Sequence, residues 1–326
     1  MVHTGEGPAP RTDGDDPVVL SLRSVSKRYG DVVALRGISL TLRRGEAVGY
    51  LGPNGAGKTT TLKILAGLAR PDSGEVSVAG VRHDGSHRAR DSLGVLVETP
   101  GVLPYMRGTD LLSHVAEVRG LRVAERAAAV RQAADRLGVG DVLSRPLGKL
   151  STGQLRRVQL AATLVGAPDI LLLDEPTLGL DPAARVDLRA LLRQLRNEGH
   201  TLFLTTHLVE DVEEVCDRVL FLREGRLVGD EAIRRDGRAS DGHRTLVVRT
   251  LETVDLARVS GALPSGTTVL RRSDHEVAVT FEGDEGEQRR VLGALVTAGV
   301  GVVEATADRP DLAARYMTLV GREEVP

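Results

Sequence analysis

The 326-residue sequence predicts an α/β fold followed by a second, smaller α+β part. Three observations lead there. A short apolar strand, EAVGYLG, runs straight into a glycine-rich loop, GPNGAGKTT, and then into KTTTLKILAGLA, which has helical period. Two more apolar strands, DILLLDEP and HTLFLTTH, end in polar residues and are each followed by an amphipathic helical stretch. Between about residues 100 and 166 the pattern turns almost purely helical. Buried strands alternating with helices mark a parallel sheet, so the helical segment reads as an insert in an α/β core.

Taken in order, the first 17 residues, MVHTGEGPAPRTDGDDP, have neither a basic start nor an apolar stretch. They are expected to be a disordered lead-in and not a signal peptide. VVLSLRSVSKRYG and ALRGISLTLRRGE alternate apolar and polar residues, as half-buried antiparallel strands do, and SGEVSVAG and SLGVLVET read as further strands. TDLLSHVAEVRG and VAERAAAVRQAADRLG belong to the helical insert, and RVLFLREGRLVG is a strand pair turning at REG. This places one domain over 18–230, with the helical subdomain at about 100–166. Polar residues in RRDGRASDGHR suggest a linker over 231–244. Beyond it, over 245–322, the order is strand (245–251), helix (254–263), strand (267–270), strand (276–281), helix (286–299), strand (301–306). That βαββαβ order predicts a ferredoxin-like sandwich, with PDLAARYMTLVG as a closing helix.

Composition excludes several function classes. A formal charge of −2 and a pI near 6.5 give no global attraction to nucleic acid or an anionic membrane. Aromatic residues make up 2%, with no Trp, which leaves no stacking platform for single-stranded nucleic acid. The lone Cys216 permits no intrachain disulfide and no cysteine-rich metal site, which fits a reducing compartment. The longest apolar run, VLGALVTAGVGVV, is shorter than the roughly 20 residues a spanning helix needs, so the chain is not expected to cross a membrane by itself.

Only four of the 43 basic residues are lysines, and one of them, Lys58, stands in the glycine loop. Gly52, Pro53, Asn54, Gly55, Ala56, Gly57, Lys58 and Thr59, with Thr60 following, match the pattern G-x-x-x-x-G-K-[ST]. Glycines let backbone N–H groups converge on phosphates, and the helix N-terminus behind them adds partial positive charge. Lys58 supplies a point charge to ATP, and the Thr59 hydroxyl can ligate Mg2+. Asp174, at the end of ILLLD, is expected to hold the same metal, because two carboxylates at a buried strand end are costly without a cation. Its neighbour Glu175 is read as the residue that orients or deprotonates the attacking water, and His207, ending LFLTTH, as a donor to the γ-phosphate. Each has a plainer alternative: DEP can cap a strand and start a turn, and a lone histidine is often structural.

A second anion site is suggested by LSTGQ, where Ser151, Thr152, Gly153 and Gln154 open a long amphipathic helix. The order GPNGAGKTT, LSTGQ, ILLLDEP, TLGLDP, TTH resembles the nucleotide-binding domain of ABC transporters. The resemblance implies that two such domains dimerise head to tail, so that Ser151 and Gly153 of one copy reach the ATP held by the other. Thr152 stands where the family more often has glycine. Asp181, in LGLDP, matches the loop through which the subunits communicate. Tyr29 matches the aromatic that stacks on adenine, although an edge-strand packing role is equally open. Glu98 stands where the family usually has a glutamine that senses Mg2+ and links the ATP site to the helical insert; a carboxylate there can still hold metal.

The resemblance extends to bacterial ABC-2 type drug and antibiotic exporters (daunorubicin-resistance-like), some of which carry a short C-terminal extension. It implies an ATPase subunit, peripheral on the cytoplasmic face of the membrane, that powers a separate integral permease and binds no nucleic acid. Alternatives are a non-transport ABC ATPase, an importer ATPase with a regulatory C-terminal domain, and a nucleotide-binding module without turnover.

Overall fold

The computed structural model describes residues 16–82, 91–97, 103–233, 243–253, 255–283, 285–307 and 312–320. The linker segment 234–242, most of the 1–17 lead-in and Glu98 lie outside the described residues. Two compact units divide the chain: one runs up to Ala232 and resumes at Tyr316, and the other lies between.

The first unit opens with two long strands, β1 (Val18–Tyr29) and β2 (Val32–Arg43), which pair antiparallel. With β4 (Ser73–Val78) and β5 (Val81–Arg82) they form a four-stranded sheet in the order β2-β1-β4-β5. Between them in sequence come β3 (Ala47–Leu51) and α1 (Lys58–Leu65). β3 lies near the middle of a second sheet, ordered β10-β9-β3-β8-β7-β6. Its other members are β6 (Leu93–Leu96), β7 (Ile170–Asp174), β8 (Thr201–Thr206), β9 (Arg218–Arg223) and β10 (Arg226–Ala232). All but β10 run parallel. β3, β7 and β8 are buried throughout, which is why none of them shows the period-2 alternation of a half-buried strand. Glu224 and Gly225 join β9 to β10 with positive φ at both positions, the hairpin geometry that suits right-twisted strands.

The helical insert comprises α2 (Gly108–Val118), α3 (Val123–Leu137), two single 3-10 turns, and α4 (Thr152–Leu164). The helices α5 (Pro182–Asn197) and α6 (Val209–Val215) follow β7 and β8. One core, including Leu20, Leu22, Ile38, Leu42, Tyr50, Leu172, Phe203 and Leu220, fuses the two sheets. Because this core backs β3, β7 and β8 together, it fixes the relative heights of their C-terminal ends.

The second unit carries β11 (His243–Thr250), α7 (Leu256–Ala262), β12 (Thr268–Ser273), β13 (Glu276–Glu282), α8 (Glu285–Thr297) and β14 (Val302–Ala307). A helix, α9 (Leu312–Val320), closes the described chain. The strands form an all-antiparallel sheet in the order β12-β13-β11-β14, as the βαββαβ reading requires of a ferredoxin-like sandwich. Its core is aliphatic around Phe281. The first helix starts later than the sequence pattern suggests because Asp255 caps it, its carboxylate accepting from Ala257 and Arg258 N–H.

The rings of Tyr50 and Phe203 meet at 5.2 Å between neighbouring parallel strands, both fully buried. Phe203→Ala should therefore lower the unfolding free energy by about 3–5 kcal/mol in urea titration. A loss below about 1 kcal/mol would contradict this packing.

Candidate functional site

Parallel strands deliver their C-terminal ends to one edge of the sheet, where open α/β folds bind ligands. Here those ends are Leu51, Asp174 and Thr206. The glycine loop after β3 turns tightly into α1, whose N-cap, Gly57, has φ +110°. A Cβ at Gly57 would lie 2.6 Å from the Ala34 carbonyl oxygen, and one at Gly52 would lie 2.5 Å from that of Leu222. Both positions thus need glycine on steric grounds, and Gly57 on conformational grounds too. The loop is braced from outside, because Gly225 N–H donates to the Ala56 carbonyl at 2.9 Å.

Lys58 is 6% exposed and its Nζ donates to the Gly52 and Pro53 carbonyls at 2.7 and 3.1 Å. The same Nζ lies 3.2 Å from Glu175 Oε1, and the other carboxylate oxygen of Glu175 meets His207 Nδ1 at 2.9 Å. A cation, a carboxylate and an imidazole are thus chained across the ends of α1, β7 and β8. Glu175 itself has φ +45°, a left-handed conformation unusual outside glycine. Its N–H is held by the Thr205 carbonyl at 3.0 Å and the Thr205 hydroxyl at 3.2 Å, and its carbonyl accepts from Arg156 Nη2 at 3.1 Å.

Asp174 is fully buried. Its Oδ1 accepts from Thr205 Oγ1 at 2.5 Å and Thr59 Oγ1 at 3.3 Å, while Oδ2 has no hydrogen-bond partner among the described residues. An unpartnered buried carboxylate oxygen is costly. Beside the Thr59 hydroxyl it makes an oxygen donor set of the kind Mg2+ prefers, so the residues fit that metal.

A cavity of about 510 Å3 opens over this group, lined by Asn54, Lys58, Thr60, Glu175 and His207 on one side and by Val32 and Ala34 on another. Gly55 also lines it, with φ +79°. Tyr29 is the register partner of Val32, is 48% exposed, and has Lys27 Nζ 5.3 Å from its ring centroid.

Ser151 caps α4. Its Oγ accepts from Gln154 N–H at 3.2 Å, while Gln154 Oε1 accepts from Ser151 N–H at 3.1 Å, a reciprocal box that fixes the helix tip. A second cavity of about 520 Å3 is lined by Ser151, Thr152, Gly153, Gln154, Gly179 and Asp181. Asp181 caps α5 by accepting from Ala184 N–H at 2.9 Å. The two cavities share no lining residue. One loop joins them: Glu175 and Leu178 line the first, Gly179 and Asp181 the second.

Three supporting residues escape sequence reasoning: Arg156, Thr205 and Asp211. Asp211 is 1% exposed, and its Oδ2 accepts from the hydroxyls of Thr177 and Thr206, the second at 3.2 Å. It thereby ties the chain two residues past Glu175 to the chain one residue before His207. Arg189 Nη1 lies 3.8 Å from its other oxygen.

The glycine cradle, the buried strand-end carboxylates and the strand-end histidine define a P-loop nucleoside triphosphatase. The ABC transporter family model matches residues 35–178. A Nod factor export ATP-binding protein I from Burkholderia orbicola is 40% identical over 65% of this chain and 70% of its own length. The linearmycin resistance ATP-binding protein LnrL of Bacillus subtilis is 27% identical over 93% of this chain and 99% of its own. Among solved structures, cbiO1 from Clostridium perfringens, part of the ABC transporter complex cbiONQ, superposes with a TM-score of 0.60 at 32% identity. That match covers 67% of this chain and 89% of cbiO1. A dimeric ATP-binding cassette in a post-hydrolysis state with ADP and Pi gives 0.61 at 25% identity, covering 66% of this chain and 99% of that one. The chain belongs to the family of ABC transporter ATP-binding proteins, and it is an ATPase.

Burial raises the Asp211 carboxyl above its ordinary 3.8, against the opposing pull of Thr177 and Thr206. Folding thus favours its protonated form, and that contribution is complete below the unfolded pKa and lost as pH rises through the raised folded one. Asp211→Asn stays neutral and can still accept from both hydroxyls. Its Tm relative to the parent should climb as pH rises above the ordinary 3.8 of the carboxyl, and a difference that does not vary with pH would contradict the assignment.

Proposed function

We propose that two copies of this chain close on ATP and Mg2+, each γ-phosphate being held by the glycine loop of one copy and the α4 tip of the other. The observation that carries this reading is the separation of the two cavities. Among the described residues of one chain the cradle and the Ser151–Gly153 tip share no lining residue, which supports a second chain supplying the tip to the phosphate that the cradle holds. The N–H groups of Thr152 and Gly153, ahead of the capped Gln154 N–H in the first turn of α4, are the ones that suit an anion there.

In this reading Lys58 leaves the loop carbonyls and Glu175 to neutralise phosphate charge. Glu175, freed from the lysine, accepts a proton from the attacking water. His207, directed through Nδ1 to Glu175, keeps Nε2 for a γ-phosphate oxygen, to which it donates when both ring nitrogens carry protons. Asp174 and Thr59 hold Mg2+, which when bound offsets phosphate charge and polarises the transferred group. Gln154 keeps the tip in register, Asp181 reports its occupancy along the loop to Glu175, and Tyr29 provides a ring for the base. From the sequence alone, Glu98 is assigned as a further metal contact.

The closing and opening of the pair would power export of a drug, antibiotic or lipid-like substrate through a separate membrane permease, with the chain on the cytoplasmic face. Among the described residues no helix is long and apolar enough to cross a membrane. The similarity to LnrL runs through the second unit as well as the first, which supports a resistance-type exporter and a shared accessory role for residues 245–322.

Glu175→Gln should cut turnover by at least about a hundredfold while leaving ATP binding intact, and should accumulate a dimer with ATP and Mg2+ in size-exclusion chromatography. A monomer under those conditions would count against closure of two copies on ATP.

A further inference from the structure

α4 carries two adjacent arginines with different fates. Arg157 points to Asp187 at 2.7 Å on a partly exposed surface. Arg156 is 8% exposed and sends Nη2 to the main-chain carbonyl of Glu175 at 3.1 Å. Burying a guanidinium is costly, and a helix needing only a core residue here would take an aliphatic one.

The acceptor is the distinctive part. The Glu175 peptide sits in the left-handed region with its N–H already fixed by Thr205. Such a conformation persists only when its surroundings over-determine it. Arg156 supplies the constraint on the carbonyl side, so the direction in which Glu175 projects its carboxylate depends on α4. Arg156 also lies five residues after Ser151, about 7.5 Å along one rigid helix. A force on the tip therefore arrives at Glu175 without crossing a flexible segment.

Resting on the reading that Glu175 acts on the attacking water, we propose that Arg156 is a positioning residue that couples the α4 tip to the catalytic carboxylate of its own chain. An anion seated at Ser151 and Gly153 of one copy then adjusts Glu175 in that same copy, alongside the Asp181 loop. Engagement of a subunit's own tip then speeds turnover in its own cradle, which couples the two ATP sites.

The test is a double-mutant cycle on the full-length chain. Arg156→Met, which keeps the volume and removes the donors, should lower kcat by about 10- to 100-fold with the ATP KM changed less than about twofold. Arg156→Lys, which retains one donor, should recover a substantial part of kcat. In the Glu175→Gln background Arg156→Met should cause no further loss in single-turnover rate, because the group it aims is already inert. Retained ATP affinity establishes that each variant folds. An additive loss in the double variant, or a raised KM with unchanged kcat, would overturn the role of Arg156 while leaving that of Glu175 standing. A Glu175→Gln chain with the parent's rate would remove the carboxylate's role and the proposal with it.

Discussion

Two adjacent carboxylates, Asp174 and Glu175, are taken out of water at the end of β7, and the rest of the site answers that cost. An isolated buried carboxylate is strongly disfavoured, so each must find donors or a cation. Glu175 finds Lys58 and His207. Among the described residues Asp174 finds two threonine hydroxyls for one oxygen and no donor for the other. The remaining need is one that a divalent cation would meet, beside the glycine loop whose shape suits phosphates. Fold and chemistry meet at this point: the parallel sheet brings the charges together, and the charges make the strand ends useful.

The supporting shell shows how little freedom the carboxylates keep. Thr205 touches both, through its hydroxyl to Asp174 and through its carbonyl and hydroxyl to the Glu175 N–H. Asp211 ties the segments that follow Glu175 and precede His207. A carboxylate so constrained gives way along the directions its tethers transmit, namely the loop to Asp181 and the helix to Ser151. Both lead to the second cavity. An ATPase that has to convert phosphate loss into movement needs such a connection between the phosphate and a surface that another molecule can grip.

Much of this was legible in the residues alone. GPNGAGKTT stands out because close backbone approach admits only glycine at Gly52 and Gly57. The strand-end residues are visible because fully buried strands read as apolar runs, which makes a terminal Asp or His conspicuous. Arg156 and Asp211 are hidden for the opposite reason. Arg156 sits in a run of two arginines, and Asp211 sits among four acidic residues in VEDVEEV, so composition marks neither. Thr205 looks like one more β-branched strand residue until the register of β7 with β8 sets it beside Asp174. In the second unit the order of elements follows from alternation, whereas β12 runs on to Ser273 through RRS, where apolar alternation stops.

The most direct test of a phosphate gripped by two chains is subunit mixing. Lys58→Ala disables the cradle of a chain and Gly153→Asp disables its helix tip, so each variant alone should be inactive. A mixed pair has one site made of an intact cradle facing an intact tip. Equimolar mixing should therefore restore activity, up to about a quarter of the parent ATPase rate, since about half the dimers are mixed and one of two sites works in each without the aid of its own chain's tip. A mixture as inactive as its components would mean that cradle and tip must belong to one chain, and the two-copy account would fail.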